Sequence, residues 1–99
     1  MNNRYNISLT KKAEKFIKKQ NRDTQKRIIK AIIELPEGDV KKLKGMDEIY
    51  RLRVGDFRVL FEKNDKELMI IIVEIGNRGQ IYQWILLSGK SRYPKSLIW

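Results

Sequence analysis

The apolar and polar positions of the chain change period several times, and each change predicts an element. Tyr5-Asn6-Ile7-Ser8-Leu9 alternates, which is the period of a strand. Thr10 then stands as an N-cap for a helix over roughly 11–20. Its apolar positions Ala13, Phe16 and Ile17 keep helical spacing, and lysines fill the outer face. Asn21-Arg22-Asp23 interrupts that pattern. Asn21 or Asp23 caps a second helix that runs to about Glu34 or Leu35, with Ile28, Ile29, Ile32 and Leu35 turned inward. Pro36-Glu37-Gly38-Asp39 stops it with strong turn chemistry, and residues 40–47 read as a linker.

Strict alternation returns in Tyr50-Arg51-Leu52-Arg53-Val54-Gly55-Asp56-Phe57-Arg58-Val59-Leu60-Phe61. Strand side chains point alternately to opposite faces, so Tyr50, Leu52 and Val54 share one face, and Arg51 and Arg53 the other. Gly55-Asp56 reads as a two-residue hairpin turn, because glycine supplies the positive φ such turns need. Closing the hairpin there sets Arg53 opposite Arg58 and adds Phe57, Val59 and Phe61 to the apolar row. Like charges directly across a sheet repel. A chain that accepts that repulsion has a reason to hold an anion there.

Asn64-Asp65-Lys66-Glu67 forms the next turn. Residues 68–75 are nearly all apolar and rich in isoleucine, which fits a central strand covered on most of both faces. Gly76-Asn77-Arg78-Gly79 reads as a polar, flexible break, after which Gln80-Ile81-Tyr82 returns to extended structure or begins a final short element. The order is β-α-α-β-β-β. It is the pattern of a small α+β domain with two N-terminal helices packed on a mostly antiparallel sheet. Residues 1–82 form that domain. Residues 83–99 are a C-terminal extension, holding both tryptophans, Ser88-Gly89-Lys90-Ser91, Pro94 and an apolar end, Leu97-Ile98-Trp99.

Composition narrows the partners. In 99 residues, 22 Lys+Arg face 12 Asp+Glu, for a net charge of +10. So basic a domain points to a polyanion, with nucleic acid first. A membrane surface is the weaker choice, because no long apolar helix flanks the basic segments. The chain has no cysteine, which excludes a disulfide scaffold and thiol chemistry, and no histidine, the commonest general base and metal ligand. No metal or cofactor is expected. Any hydrolysis must use Tyr, Lys, Arg, Asp or Glu. The N-terminus lacks a signal-peptide core, and the longest apolar run is too short to span a bilayer, so the expected location is the cytoplasm.

The candidate chemistry lies with the basic residues. Arg51, Arg53 and Arg58 cluster on one side of the hairpin. Arg78 ends the neighbouring strand, and Tyr82 follows four residues later; both reach the arginine side if that strand pairs with the second hairpin strand. Guanidinium groups grip phosphate through paired hydrogen bonds and stay charged at physiological pH. A phenol stacks on a base or takes part in proton transfer. Together they make a plausible phosphodiester site. Taken singly, each has an ordinary structural explanation: Arg51 and Arg53 on a solvated sheet face, Arg58 paired with Glu62 or Glu74, Arg78 a turn residue, Tyr82 a half-buried aromatic with a wet hydroxyl. The lysines of the first helix fit a solvated face better than a specific site.

Three strings carry a resemblance: Lys42-Leu43-Lys44-Gly45, the hairpin from Tyr50 to Phe61, and Ile75-Gly76-Asn77-Arg78-Gly79-Gln80-Ile81-Tyr82, with the opening Tyr5-Asn6-Ile7-Ser8-Leu9 and Ala13. Their order resembles the RelE/ParE toxin superfamily over about Arg4 to Tyr82. The resemblance implies a site of basic residues on the central strands plus a C-terminal arginine and tyrosine, falling here on Arg51, Arg53, Arg58, Arg78 and Tyr82. It implies the toxin of a type II toxin–antitoxin system: a metal-independent, ribosome-dependent endoribonuclease that cuts mRNA in the ribosomal A site. The implied partners are a cognate antitoxin, the ribosome and mRNA. Some members carry lysine where this chain has Arg51 and Arg53, and arginine, which keeps its proton at any physiological pH, is a poorer proton donor. Asn77 stands where many relatives have histidine.

RNA brings its own nucleophile, the 2′-OH. In the implied reaction Tyr82 orients or deprotonates it, Arg58 and Arg78 hold the scissile phosphate, and Arg51 and Arg53 grip flanking phosphates or assist the leaving group. An unperturbed tyrosine has a pKa near ~10, so base catalysis needs the arginines to lower it. Two alternatives remain: a ParE-like protein that inhibits DNA gyrase by binding it without catalysis, and a simple RNA- or ribosome-binding module.

Overall fold

The structure is a computed structural model. It describes residues 5–43 and 49–87, with the side chains at 82 and 84–87 outside that description. The end of the segment read as a linker, residues 44–47, and the tail 88–99 lie outside the described residues.

Five strands form one sheet: β1 (Asn6–Leu9), β2 (Val40–Lys42), β3 (Ile49–Val54), β4 (Phe57–Asn64) and β5 (Met69–Asn77), in the spatial order β1-β5-β4-β3-β2. Only β1 and β5 run parallel; the other pairs are antiparallel. Two helices, α1 (Lys11–Lys18) and α2 (Arg22–Ile33), cross between β1 and β2, and a third, α3 (Arg78–Leu87), follows β5. The expected α+β domain is present, with two differences. Val40–Lys42 is an edge strand rather than linker, since its backbone pairs with β3. The segment after β5 is helical and carries the chain past position 82.

Local chemistry fixes the boundaries. The Thr10 side chain accepts from the Ala13 amide at 3.2 Å, capping α1, and its hydroxyl donates to the Val73 carbonyl at 3.0 Å. That second bond has a cause in the sheet. Leu60 pairs with Glu74 and Phe61 with Ile72, so Val73 is the extra residue of a bulge, and Thr10 satisfies its carbonyl. Asn21 caps α2 by accepting from the Thr24 amide at 2.8 Å. At the β4–β5 turn, the Asn64 side chain accepts from the amides of Lys66 and Glu67.

The core lies between the two helices and the apolar face of the sheet. Ala13, Ile17, Ile28, Ile32 and Leu35 pack on Leu52, Val54, Val59, Phe61, Ile70, Ile72 and Ile75. Phe16 meets Phe57 edge-on at 5.7 Å, and Tyr50 stacks on Phe61 at 5.5 Å. One inward assignment fails: Ile29 is 42% exposed, because the buried stripe of α2 runs through Ile28 and Ile32.

Candidate functional site

The hairpin forms in the expected register. Arg53 stands opposite Arg58, with Tyr50, Leu52 and Val54 opposite Phe61, Val59 and Phe57. Gly55 has φ +59 in the first turn position, a conformation that costs a side-chain-bearing residue energy. The apolar row faces the helices, so the arginines fall on the other face. That face is not simply solvated. Leu60, which shares it, is fully buried, and α3 packs against β4 and β5.

Arg58 is buried, and its Nη1 donates to the carbonyl oxygens of Phe57 and Gly55 at 3.0 and 3.1 Å. The guanidinium therefore turns back over its own hairpin loop. Burial, then the charges of Arg53, Arg51 and Arg78, hold its pKa below arginine's usual value, with Asp39 acting in the opposite sense. An arginine so perturbed is still cationic at neutral pH. Arg53, Arg51 and Arg78 thus each act on Arg58 as like charges, and a bound anion would relieve that repulsion. Glu74, considered above as a partner for Arg58, instead meets Lys12 Nζ at 3.5 Å.

Arg51 overturns the expectation of a solvated sheet residue. It is only 2% exposed, and its Nη1 contacts the Asp39 carbonyl at 3.2 Å and the Asp39 carboxylate at 3.3 Å. The Arg53 amide donates to the same carbonyl at 3.0 Å. Asp39 thus ties the turn after α2 to β3 beside the arginine cluster. Arg53 is exposed. Arg27, overlooked because it lies on α2, also comes to the hairpin: its Nη1 is 3.3 Å from where a Cβ on Gly55 would stand.

Arg78 is the first residue of α3, and Tyr82 stands one helical turn later, its side chain outside the described residues. The expected flexible break at Gly76-Asn77-Arg78-Gly79 is instead a strand end joined to a capped helix. The Asn77 side chain accepts from the Gln80 amide at 2.8 Å, and the Gln80 side chain accepts from the Asn77 amide at 2.8 Å. This is a capping box, and its signal was legible as Asn-x-x-Gln before the apolar run at Ile81. Gly76 pairs with Arg58, so its missing side chain would lie on the arginine face. A Cβ there would come within 3.0 Å of the Gln80 side chain. The first turn of α3 therefore folds onto the arginine side of β5 and brings Arg78 to the other three arginines.

Among the described residues, no group of His, Cys, Asp or Glu side chains is placed to hold a metal ion, and no helix is long and apolar enough to cross a membrane.

Comparison with known proteins bears on the family and the fold. The sequence pattern of the family described as ParE toxin of type II toxin-antitoxin system, parDE, matches residues 7–82. RelE1 of Methanocaldococcus jannaschii is 44% identical over 45 residues, which cover 46% of this chain and 50% of that protein, so the match spans half of the relative's length. Among solved structures, the RelB-RelE antitoxin-toxin complex from Methanococcus jannaschii contains a chain 30% identical, with TM-score 0.64, covering 77% of this chain and 95% of its own. The archaeal RelE-RelB complex from Pyrococcus horikoshii gives 26% identity and TM-score 0.64, over 78% of this chain and 98% of that one. The isolated RelE toxin of E. coli has the same fold at 19% identity and TM-score 0.64, over 85% of this chain and 97% of that one. With the family pattern spanning the sheet, the first two helices and the start of α3, the chain belongs to the RelE/ParE superfamily, the toxins of type II toxin–antitoxin systems.

Proposed function

We propose that this toxin is a ribosome-dependent endoribonuclease that cleaves mRNA in the ribosomal A site and so stops translation. The observation that carries the reading is the arginine cluster. Arg51, Arg53, Arg58 and Arg78 come from two strands and a helix start, and Arg58 is held buried among like charges. Such a site costs stability when empty and matches a phosphodiester when occupied.

In the proposed reaction the 2′-oxygen of the substrate attacks the adjacent phosphorus. The P–O5′ bond breaks, leaving a 2′,3′-cyclic phosphate and a 5′-hydroxyl. Arg58 and Arg78 hold the phosphate and stabilise the charge that develops on it. Arg53, which is exposed, serves a flanking phosphate, and the buried Arg51 adds its positive charge beneath the cluster. Arg51 also keeps the Asp39 turn in place, so its contribution is partly structural. Tyr82 orients the 2′-OH and, as the phenolate, takes its proton, and the leaving 5′-oxygen takes a proton from solvent water as the P–O5′ bond breaks. The chemistry needs no metal ion. The ribosome supplies substrate orientation, worth several powers of ten.

The partner in the resting state is a cognate antitoxin. The archaeal neighbours were solved as complexes with RelB, and a +10 chain suits an acidic antitoxin segment. A second reading, gyrase inhibition without catalysis, draws on the family pattern, whose description names ParE.

The test adds the purified chain to translating ribosomes on a defined message and maps 5′ ends, with Arg58→Ala, Arg58→Lys and Tyr82→Phe alongside. Codon-positioned cuts that need the ribosome and fade in the variants support the nuclease. An uncut message with normal translation refutes it, and loss of gyrase supercoiling then identifies the second reading.

A further inference from the structure

We propose that Asn77 and Gln80 are positioning residues, whose reciprocal capping bonds hold Arg78 in the arginine cluster before substrate arrives. The inference rests on the nuclease reading and assigns a role to two residues outside its phosphate-binding set.

The argument begins with repulsion. Arg78 acts on Arg58 as a like charge, together with Arg53 and Arg51. Like charges so close work against the approach of Arg78 to Arg58. Three features oppose that repulsion. Asn77 and Gln80 exchange two hydrogen bonds of 2.8 Å across the helix start, with Arg78 and Gly79 between them. Ile81, the next residue, is fully buried and anchors the turn to the domain. Gly76 lets the Gln80 side chain lie directly on β5, where any Cβ would come within 3.0 Å of it.

Both capping residues are exposed, so their side chains are not needed to fill the core. Their bonds fix a backbone, and that backbone carries Arg78. A site whose charges are held in place beforehand stabilises a transition state better than one that must assemble them.

The experiment measures single-turnover cleavage on ribosomes programmed with one A-site codon. The variants are Asn77→Ala, Gln80→Ala, Asn77→Ser, Gln80→Glu, Arg78→Ala and Asn77→Ala/Arg78→Ala. Loss of a cap shifts a local equilibrium by roughly 3- to 10-fold. The expected result is a fall of that size in the maximal rate for Asn77→Ala and Gln80→Ala, at an unchanged half-saturating ribosome concentration. Serine at 77 and glutamate at 80 restore the rate, because both keep the capping chemistry. In the Arg78→Ala background, Asn77→Ala has no further effect. Asn77→Ala at the wild-type rate, or the same loss in both backgrounds, overturns the inference while the nuclease reading stands. A wild-type chain that makes no cut overturns both.

Discussion

Removing the Asp39 carboxylate tests whether Arg51, a member of the arginine cluster, is also a strut of the fold. Arg51 is 2% exposed, whereas the Asp39 side chain is 57% exposed, and the two meet at 3.3 Å. Breaking an ion pair with both partners buried costs about 3–5 kcal/mol, and an exposed pair contributes about 0–1 kcal/mol. Here the charge left behind is the buried one, the lost partner is largely solvated, and the Asp39 carbonyl keeps its own bond to Arg51. The cost of Asp39→Ala therefore falls between those limits, at about 1–3 kcal/mol. In a domain of this size each kcal/mol moves the thermal midpoint by about 4–8 °C. Urea unfolding followed by far-UV circular dichroism reads the change as a lower midpoint at an unchanged slope. Arg51→Met in the Asp39→Ala background recovers most of the loss, because an apolar side chain of similar length needs no partner. A cost of Asp39→Ala below about 0.3 kcal/mol, or a double variant no more stable than the single one, refutes the reasoning.

Gly76→Ala forces the Gln80 side chain off β5 and breaks the capping box, for a loss of about 1–2 kcal/mol in a thermal melt. Gly55→Ala places a Cβ at φ +59 and destabilises the domain by about 1 kcal/mol, whereas Gly55→Asn costs less because asparagine tolerates that region. Leu60→Ala empties a fully buried position on the arginine face and costs about 2–5 kcal/mol by urea midpoint. Asp65 accepts a 2.7 Å hydrogen bond from the Tyr5 hydroxyl and pairs with Lys63, and these hold its pKa below the ordinary 3.8. A carboxylate with a depressed folded pKa contributes stability above its unfolded pKa and loses it as pH falls through the folded one. Asp65→Asn should therefore flatten the stability profile below about pH 4, and a carboxyl titration by NMR should place the Asp65 midpoint below 3.8.

The hairpin was legible because both of its determinants are local. Alternation fixes which face each side chain takes, and a glycine-first loop fixes the register, so Arg53 opposite Arg58 followed directly. The helix starts at Thr10 and Asn21 were legible for the same reason, since a cap bonds amides three residues away. The third helix start carried an equal signal in Asn77 and Gln80. The glycines at 76 and 79 drew the reading toward a flexible turn instead. Strand β2 carried almost no signal, because a three-residue edge strand exists only through its pairing with β3.

The sequence by itself determined the class of the fold, the two faces of the hairpin and the arginines that share one of them, because each follows from spacing within a few residues. Tertiary structure decided what those residues do to one another. Burial of Arg51 against Asp39 depends on a turn 12 residues away in the chain. Arg27 reaches the hairpin only because α2 packs across the sheet. The approach of Arg78 to Arg58 depends on a helix folding back over β5. Charge–charge energies depend on distance and on exclusion of water, and neither exists until segments remote in sequence pack together.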